Sequence, residues 1–265
     1  MKNIKLTVDM IYRGSLILVN QQYPYREYRA NNNLIPIPAA KDHIFLDRRS
    51  ARFYTNIMDK LSAWNGITAI SGWRSLQEQR QIYNDALAEK GTGFTEKYVA
   101  MPGHSEHQTG LAVDVALNQE DIDFIAPHFP YAGICEHFRR LARRFGFIER
   151  YPSGKEGITG IAHEPWHFRY VGAPHAMLME ELGDTLEEYH MRLKQYEYGH
   201  EPLLYEFNGR TVEISYLAAD IDYTELNIKN DAEFTVSGNN IDGFIITVWG
   251  DKHWSAHMSM AGLAG

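Results

Sequence analysis

Residues 163–167 are His-Glu-Pro-Trp-His, a spacing of histidines and a carboxylate that could bind a metal ion and transfer a proton. On a helix, H-E-x-x-H places both imidazoles on one face, with the glutamate as general base. Pro165 opposes a helix here, because a proline within a helix removes a backbone donor at a cost of about 3 kcal/mol. The aromatic and β-branched residues 166–171 are typical of a strand. We therefore expect the two histidines not to share a helix face; the helical alternative requires Pro165 in the first turn.

A second segment that could do chemistry is 102–115, Pro-Gly-His-Ser-Glu-His-Gln-Thr-Gly-Leu-Ala-Val-Asp-Val. Asp114 lies within an apolar run, where a carboxylate is costly unless it is paired or bound to a metal. His107 precedes it by seven residues, across Thr109-Gly110, where the chain can bend easily. The segment could thus supply one imidazole and one carboxylate to a metal. The alternative is that Asp114 caps a backbone turn and His107 is an exposed loop residue.

A catalytic zinc takes three protein ligands and leaves one position for water. His107, Asp114 and His167 would supply such a set, which would leave Glu164 as a base and His163 behind the ligands or at the surface. The remaining histidines without an interpretable motif are expected at the surface or at caps: His43, His128, His175, His190, His200, His253 and His257.

Three motifs resemble those of the zinc D-alanyl-D-alanine peptidases, and they occur in that family's order. Residues 105–114 resemble S-x-H-x-x-G-x-A-x-D, and 164–167 resemble E-x-x-H. Residues 71–79 are similar to S-G-Y-R-S-x-x-x-Q, with Trp73 in place of the usual tyrosine. Residues 146–172 resemble the vancomycin-resistance D,D-carboxypeptidases and the dual D,D-dipeptidase/carboxypeptidases over their whole length.

The resemblance implies a zinc-dependent hydrolase that cleaves the bond before a C-terminal D-alanine, in the D-Ala-D-Ala dipeptide or in peptidoglycan precursor peptides. It implies that His107, Asp114 and His167 are zinc ligands and that Glu164 is the catalytic base. It also implies that Arg74 contacts the scissile carbonyl, and that Ser105 and Gln79 help to hold the substrate.

Two other functions remain open. An L,D-carboxypeptidase or another peptidoglycan hydrolase could share these motifs. A non-catalytic, zinc-stabilised binding module is the second alternative. The presence of both Glu164 and Arg74 argues against that module, because zinc binding alone requires neither residue.

The elements around these motifs mix helices and strands without regular alternation, which predicts an α+β fold with a mainly antiparallel central sheet flanked by helices. Helices are expected over 48–64, from Ser75 to Gly91, over 134–145 and from Asp184 to about Tyr198. Strands are expected at 66–73, 111–117, 147–151 and 166–171. Arg74 would then lie at a strand-to-helix junction. Residues 20–45 are expected to form an irregular arm, and 91–106 a loop.

A small C-terminal β-rich appendage of unknown role is predicted at 201–265, after a catalytic domain over 1–200. Its clearest signal is Asn208-Gly209 between two β-type runs, which is typical of a hairpin.

Composition limits the partners. The net charge of −8 argues against a nucleic-acid partner. The single cysteine, Cys135, excludes an internal disulfide and is expected to be a small buried side chain. No signal peptide or membrane segment is visible in the sequence, which predicts a cytoplasmic protein acting on a D-Ala-D-Ala-containing peptide.

Overall fold

A computed structural model of the chain describes residues 1–26, 33–38 and 43–252. Within these ranges the helices are α1 (Arg48–Leu61), α2 (Leu76–Lys90), α3 (Thr92–Tyr98), α4 (Gly133–Arg144), α5 (Glu156–Thr159), α6 (His175–Leu182) and α7 (Leu186–Leu193). The strands are β1 (Lys2–Thr7), β2 (Leu34–Pro38), β3 (His43–Asp47), β4 (Ile67–Ser71), β5 (Ala112–Leu117), β6 (Phe147–Tyr151), β7 (Glu164–Tyr170), β8 (Leu203–Phe207), β9 (Arg210–Ala218), β10 (Tyr223–Ile228), β11 (Glu233–Gly238) and β12 (Gly243–Lys252).

The sheet that carries the candidate site has the strand order β4-β5-β7-β6, and all its pairs are antiparallel. Side chains alternate between the faces of a strand, so Val113 and Phe168 enter a core that also includes Tyr54 of α1 and Phe138 of α4. Asp114, between Val113 and Val115, therefore lies on the opposite face. Helices α1 and α4 thus cover one face of the sheet, and the polar residues lie on the other.

A second four-stranded sheet, β11-β12-β9-β8, lies in the C-terminal part of the chain. Val212 and Ile245 of this sheet share a core with Leu16, Leu18 and residues of α6 and α7. Strand β1 pairs with β10 from the same part of the chain. The first residues of the chain therefore pack with its last strands. The division into 1–200 and 201–265 stays a prediction, and residues 253–265 lie outside the described ranges.

The predicted α+β class with its antiparallel sheets is confirmed. The strand prediction at 147–151 matches β6, and the Asn208-Gly209 turn joins β8 to β9. The loop prediction for 91–106 was wrong over α3, which is capped by Gly91 and packs on α2. The irregular arm over 20–45 was wrong where β2 and β3 pair; its residues 27–32 and 39–42 lie outside the described ranges. The helix after Asp184 ends at Leu193, earlier than predicted.

Within the described residues, no helix is both long enough and apolar enough to span a membrane.

Candidate active site

Asp114 and His167 face each other across the pairing of β5 with β7. The register places Asp114 opposite His167, and Asp114 Oδ1 lies 2.9 Å from His167 Nδ1. Both side chains are buried. The strand interpretation of residues 166–171 is therefore confirmed: Pro165 lies in an extended strand and not in a helix. Because of this geometry, His163 and His167 do not share a helix face.

His107 reaches the same point from a short 3-10 turn at Glu106–Thr109, which Gly110 ends with a left-handed backbone (φ 73°). His107 Nε2 lies 3.2 Å from Asp114 Oδ2. Its other nitrogen, Nδ1, donates a hydrogen bond to the Gly72 carbonyl at 2.6 Å. A Cβ atom at Gly72 would lie 2.3 Å from Ile44 Cγ2, so glycine is required where that carbonyl is presented.

His107, Asp114 and His167 each offer one ligand atom, and these atoms lie within 4.8 Å of one another. A carbonyl oxygen can only accept a hydrogen bond, so Nδ1 of His107 carries the proton and Nε2 presents a lone pair when the imidazole is neutral. That lone pair faces a carboxylate oxygen 3.2 Å away. Two acceptors at this distance are compatible with a cation between them. Two nitrogens and one carboxylate suit zinc, with a position left for water.

The charges of these groups follow from burial and from each other. Burial opposes ionisation of Asp114, but His107 and His167 hold the pKa of its carboxyl well below the usual range. Burial, together with the Arg74 guanidinium, lowers the pKa of His107 to about 4. Burial also disfavours the charged form of His167, but Asp114 raises its pKa to about 9. A metal bound here would displace the proton of His167.

Glu164 begins β7, beside the three candidate ligands. Its Oε2 atom lies 3.8 Å from His167 Nδ1, and burial raises the pKa of its carboxyl to about 8. The ring of Tyr151 also packs on His167, with the two ring centroids 4.9 Å apart. Glu164 is therefore close enough to exchange a proton with a group held at the ligands.

Arg74 follows β4 and approaches the same carboxylate. Its Nη2 lies 3.7 Å from Asp114 Oδ2, and its Nη1 donates to Gln79 Oε1 at 3.1 Å. The Gln79 amide in turn donates to the Ala100 carbonyl at 2.8 Å. Ser75 caps α2 with a capping box, which fixes the junction that the sequence predicted. Gln79 is buried, and its side chain contacts Arg74. Its role in holding substrate stays a prediction.

A cavity of about 360 Å³ is lined by all seven site residues that the sequence predicted. Ser105 is 3% exposed at its wall. Its lining also includes the aromatic residues Phe94, Tyr98 and Phe124 and the exposed charged residues Asp85, Glu89 and Lys90. A larger depression of about 770 Å³ elsewhere is lined by none of the seven residues. We place the candidate active site in the smaller cavity because the convergent polar groups are there.

His163 lies outside this cavity and contacts Tyr131, whose hydroxyl is 2.8 Å from His163 Nε2. The expectation of surface positions was wrong for two histidines. His175 and His190 are buried, and their partners are neutral groups: Tyr189 and Thr247 for His175, and the Leu16 carbonyl for His190. The side chain of His43, and the whole of His253 and His257, lie outside the described part of the chain.

Glu106 and the buried arginines Arg150 and Arg169 were not among the residues that the sequence predicted for the site. Glu106 Oε1 accepts hydrogen bonds from Arg150 Nε at 2.8 Å and from Arg169 Nη1 at 2.7 Å. The available signal was an arginine within each of two strand-type segments, together with a glutamate beside His107. The pairing joins residues far apart in the chain, so spacing could not reveal it.

The fold and the donor set together define a metallopeptidase-type centre. The VanY family, described as D-alanyl-D-alanine carboxypeptidase, matches residues 45–173, which include every candidate site residue. The chain is 39% identical over 183 residues to the bifunctional D-Ala-D-Ala dipeptidase and carboxypeptidase VanXYC of Enterococcus gallinarum, covering 69% of this chain and 96% of that protein. The chain therefore belongs to the VanY family.

Solved structures agree with this assignment. The crystal structure of the vancomycin-resistance D,D-dipeptidase VanXYg, in complex with a D-Ala-D-Ala phosphinate analogue, superposes with a TM-score of 0.88 at 49% identity, over 94% of this chain and 98% of that one. A VanY D,D-pentapeptidase variant in complex with Zn(II) matches with a TM-score of 0.52 at 34% identity, over 66% of this chain and 98% of that one.

Proposed function

We propose that the protein is a zinc-dependent peptidase that removes a C-terminal D-alanine, both from the D-Ala-D-Ala dipeptide and from precursor peptides that end in it. The observation that carries the proposal is the convergence of His107, Asp114 and His167, with ligand atoms within 4.8 Å, in the cavity that also contains Glu164 and Arg74. A site built only to hold a metal would not need the last two residues.

The chemistry divides between the metal and the protein. When bound by His107, Asp114 and His167, zinc supplies Lewis acidity toward water and a carbonyl oxygen. Glu164 accepts the proton of the attacking water at its carboxylate and passes it to the nitrogen of the departing D-alanine. Its position 3.8 Å from His167 Nδ1 keeps that carboxylate beside the ligands.

Arg74 provides positive charge on the side of Asp114 that faces the cavity. Its guanidinium donates hydrogen bonds to the scissile carbonyl oxygen as negative charge develops there. Gln79 fixes the guanidinium through Nη1, so little reorganisation is needed during the reaction. Ser105 lies in the cavity wall, where we assign it to the substrate.

One relative supports both substrate lengths, and a second supports the dipeptide. VanXYC is named for activity on the dipeptide and for carboxypeptidase activity. The VanXYg structure was solved with a D-Ala-D-Ala phosphinate analogue. The high identity to VanXYg favours a similar substrate pocket in this chain.

The test is a side-by-side kinetic comparison of three peptides, with zinc present and with zinc removed by a chelator. The peptides are D-Ala-D-Ala, a pentapeptide ending in D-Ala-D-Ala, and the tetrapeptide that lacks the last residue. We expect zinc-dependent release of D-alanine from the first two. Preferred cleavage of the tetrapeptide would establish the L,D-carboxypeptidase alternative. Zinc binding without hydrolysis of any of the three would establish the non-catalytic module, and full activity after metal removal would exclude the zinc mechanism.

A further inference from the structure

Glu106 lies behind His167, on the side away from Asp114. Its Oε2 atom is 3.5 Å from His167 Nε2. Both atoms are buried, and among the described residues neither of them has a hydrogen-bond partner. The His167 imidazole is therefore held between two carboxylates, with Nδ1 toward Asp114 and Nε2 toward Glu106.

The two candidate histidine ligands are supported in different ways. His107 donates its rear N–H to a backbone carbonyl, that of Gly72, whereas His167 directs its rear nitrogen at a carboxylate. A histidine that binds a metal usually donates its other N–H to such an acceptor, which fixes the tautomer and the ring orientation and raises the basicity of the ligand nitrogen. The carboxylate is the stronger acceptor of the two because it carries a charge.

Two buried arginines hold Glu106 in place. Arg150 and Arg169 both bond to Oε1, and their side chains, like that of Glu106, have no solvent exposure. This arrangement occupies one carboxylate oxygen and leaves Oε2 directed at His167. Buried ion pairs are weak evidence for stability, since apolar residues of similar volume often replace them without loss. The buried ion pairs of Glu106 are therefore better explained by a role other than stability.

The arginines anchor this group outside the sheet. Arg169 Nη2 donates to the carbonyls of Ser15 and Ile17, at 3.0 and 2.9 Å. Arg150 makes a two-point contact with Glu187 of α7. Both anchoring segments lie outside residues 45–173, the part matched by the family.

We propose that Glu106 is a positioning residue for His167: it accepts the Nε2–H, and thereby selects the tautomer in which Nδ1 is free to bind the metal. Arg150 and Arg169 orient the carboxylate for this task. The inference rests on the proposed zinc site and deepens it.

The test compares zinc affinity in two matched variants of the full chain, Glu106→Gln and Glu187→Gln. Each removes one carboxylate charge from Arg150, but only Glu106 faces His167. Zinc dissociation constants are measured by competition with a chromogenic chelator, alongside thermal unfolding. We expect Glu106→Gln to weaken zinc binding by about 10- to 100-fold. Glu187→Gln should remain within about threefold of the wild type. At saturating zinc, Glu106→Gln should lower kcat with little change in KM, because its side chain has no solvent exposure with which to contact a substrate.

Equal zinc affinity in Glu106→Gln and the wild type would overturn the proposal, and so would equal losses in the two variants. If Glu106→Gln does not fold, the wild type still provides a test. In the zinc-loaded protein labelled with 15N-histidine, the proposal requires a proton on His167 Nε2, assigned through its contacts with the Tyr151 ring. A bare Nε2 would refute it. A wild-type protein that binds no zinc would refute the proposed function, which separates the two failures.

Discussion

The sheet β4-β5-β7-β6 and the C-terminal sheet β11-β12-β9-β8 both bury polar groups, but of different kinds. On the first sheet all the buried polar groups except Thr68 carry charge or titrate: Asp114, Arg150, Glu164, His167 and Arg169. On the second sheet and its adjoining turns they are neutral hydroxyls and amides: Ser215, Ser237, Asn239, Asn240 and Thr247.

This difference in the kind of buried group distinguishes the sheet that carries the candidate active site from the sheet whose polar groups stabilise the fold. Burying a charge is costly even when it is paired, whereas a neutral group that keeps its hydrogen bonds adds modestly to stability. The amide of Asn240, for example, donates to the Leu18 carbonyl and so attaches the N-terminal segment. Changes in the first sheet should therefore affect metal binding and turnover, and changes in the second should affect stability alone.

The largest expected effect is from His107→Ala, which removes one of three ligands. Zinc should be lost at ordinary concentrations and turnover should fall below detection. Metal content after gel filtration, measured together with activity, checks this. His163→Ala is the control and should keep its zinc and most of its activity. Zinc retained by a His107→Ala, Asp114→Ala double variant would contradict the ligand assignment.

Glu164→Ala sharpens the comparison by separating metal binding from chemistry. We expect kcat to fall by about 10²- to 10⁴-fold, the usual contribution of a general base, while zinc content stays at the wild-type level. Rapid-quench kinetics with D-Ala-D-Ala and metal analysis on the same sample would measure both. Wild-type turnover in this variant would assign the base elsewhere.

Arg74→Ala should reduce kcat by about 10²- to 10³-fold, equivalent to about 2.7–4 kcal/mol of transition-state stabilisation. The reason is the loss of a fixed donor beside Asp114. Arg80→Ala, on the exposed side of the same helix that Ser75 caps, should leave kcat unchanged. Steady-state kinetics of both variants decide the matter; a change in KM alone for Arg74→Ala would make Arg74 a binding residue.

His175 connects α6 to the second sheet through Thr247 Oγ1, at 3.0 Å from Nε2. Burial lowers its pKa to about 3, so the unfolded chain takes up a proton near pH 6.5 that the folded chain refuses. Stability from this group is complete above pH 6.5 and is lost as the pH falls toward 3. Between pH 6 and 4.5, the slope of unfolding free energy against pH should be smaller in His175→Gln by about 1.4 kcal/mol per pH unit. Denaturant titrations of zinc-saturated protein would measure it, and identical slopes would contradict it.

The smallest expected effect is from Thr247→Val, which removes the hydroxyl that contacts His175. We expect a loss of about 1 kcal/mol of stability, with kcat unchanged. Thr235→Val, on the neighbouring strand and exposed, is the control and should unfold like the wild type. A fall in kcat for Thr247→Val would break the division between the two sheets.

The sequence was sufficient for the parts of the site that are local. Asp114 within an apolar strand and Pro165 before His167 each carry a physical signal that needs no partner. The two strands that bear these residues pair as antiparallel neighbours. This pairing places Asp114 of one motif opposite His167 of the other.

What the sequence could not supply depends on distant segments. Helix α3 has a short, weakly periodic sequence, and its position depends on α2, against which it packs. The position of Glu106 depends on Arg150 and Arg169, which both donate to its carboxylate from strands distant in the chain. The spacing of residues in the sequence predicts which side chains are neighbours along one helix or strand. It does not predict which charged side chain from a strand distant in the chain will pack against them.

The pairing of β1 with β10, where Lys2 lies opposite Ile228, has a consequence for synthesis in the cell. At typical translation rates the ribosome needs about 10–50 s to reach that residue. Until then β1 has no strand to pair with, and Leu16, which lies between the Ser15 and Ile17 carbonyls, lacks the Ser237 hydroxyl to which its N–H donates. The final assembly of the polar network behind His167 should therefore come late, after most of the polypeptide has left the exit tunnel.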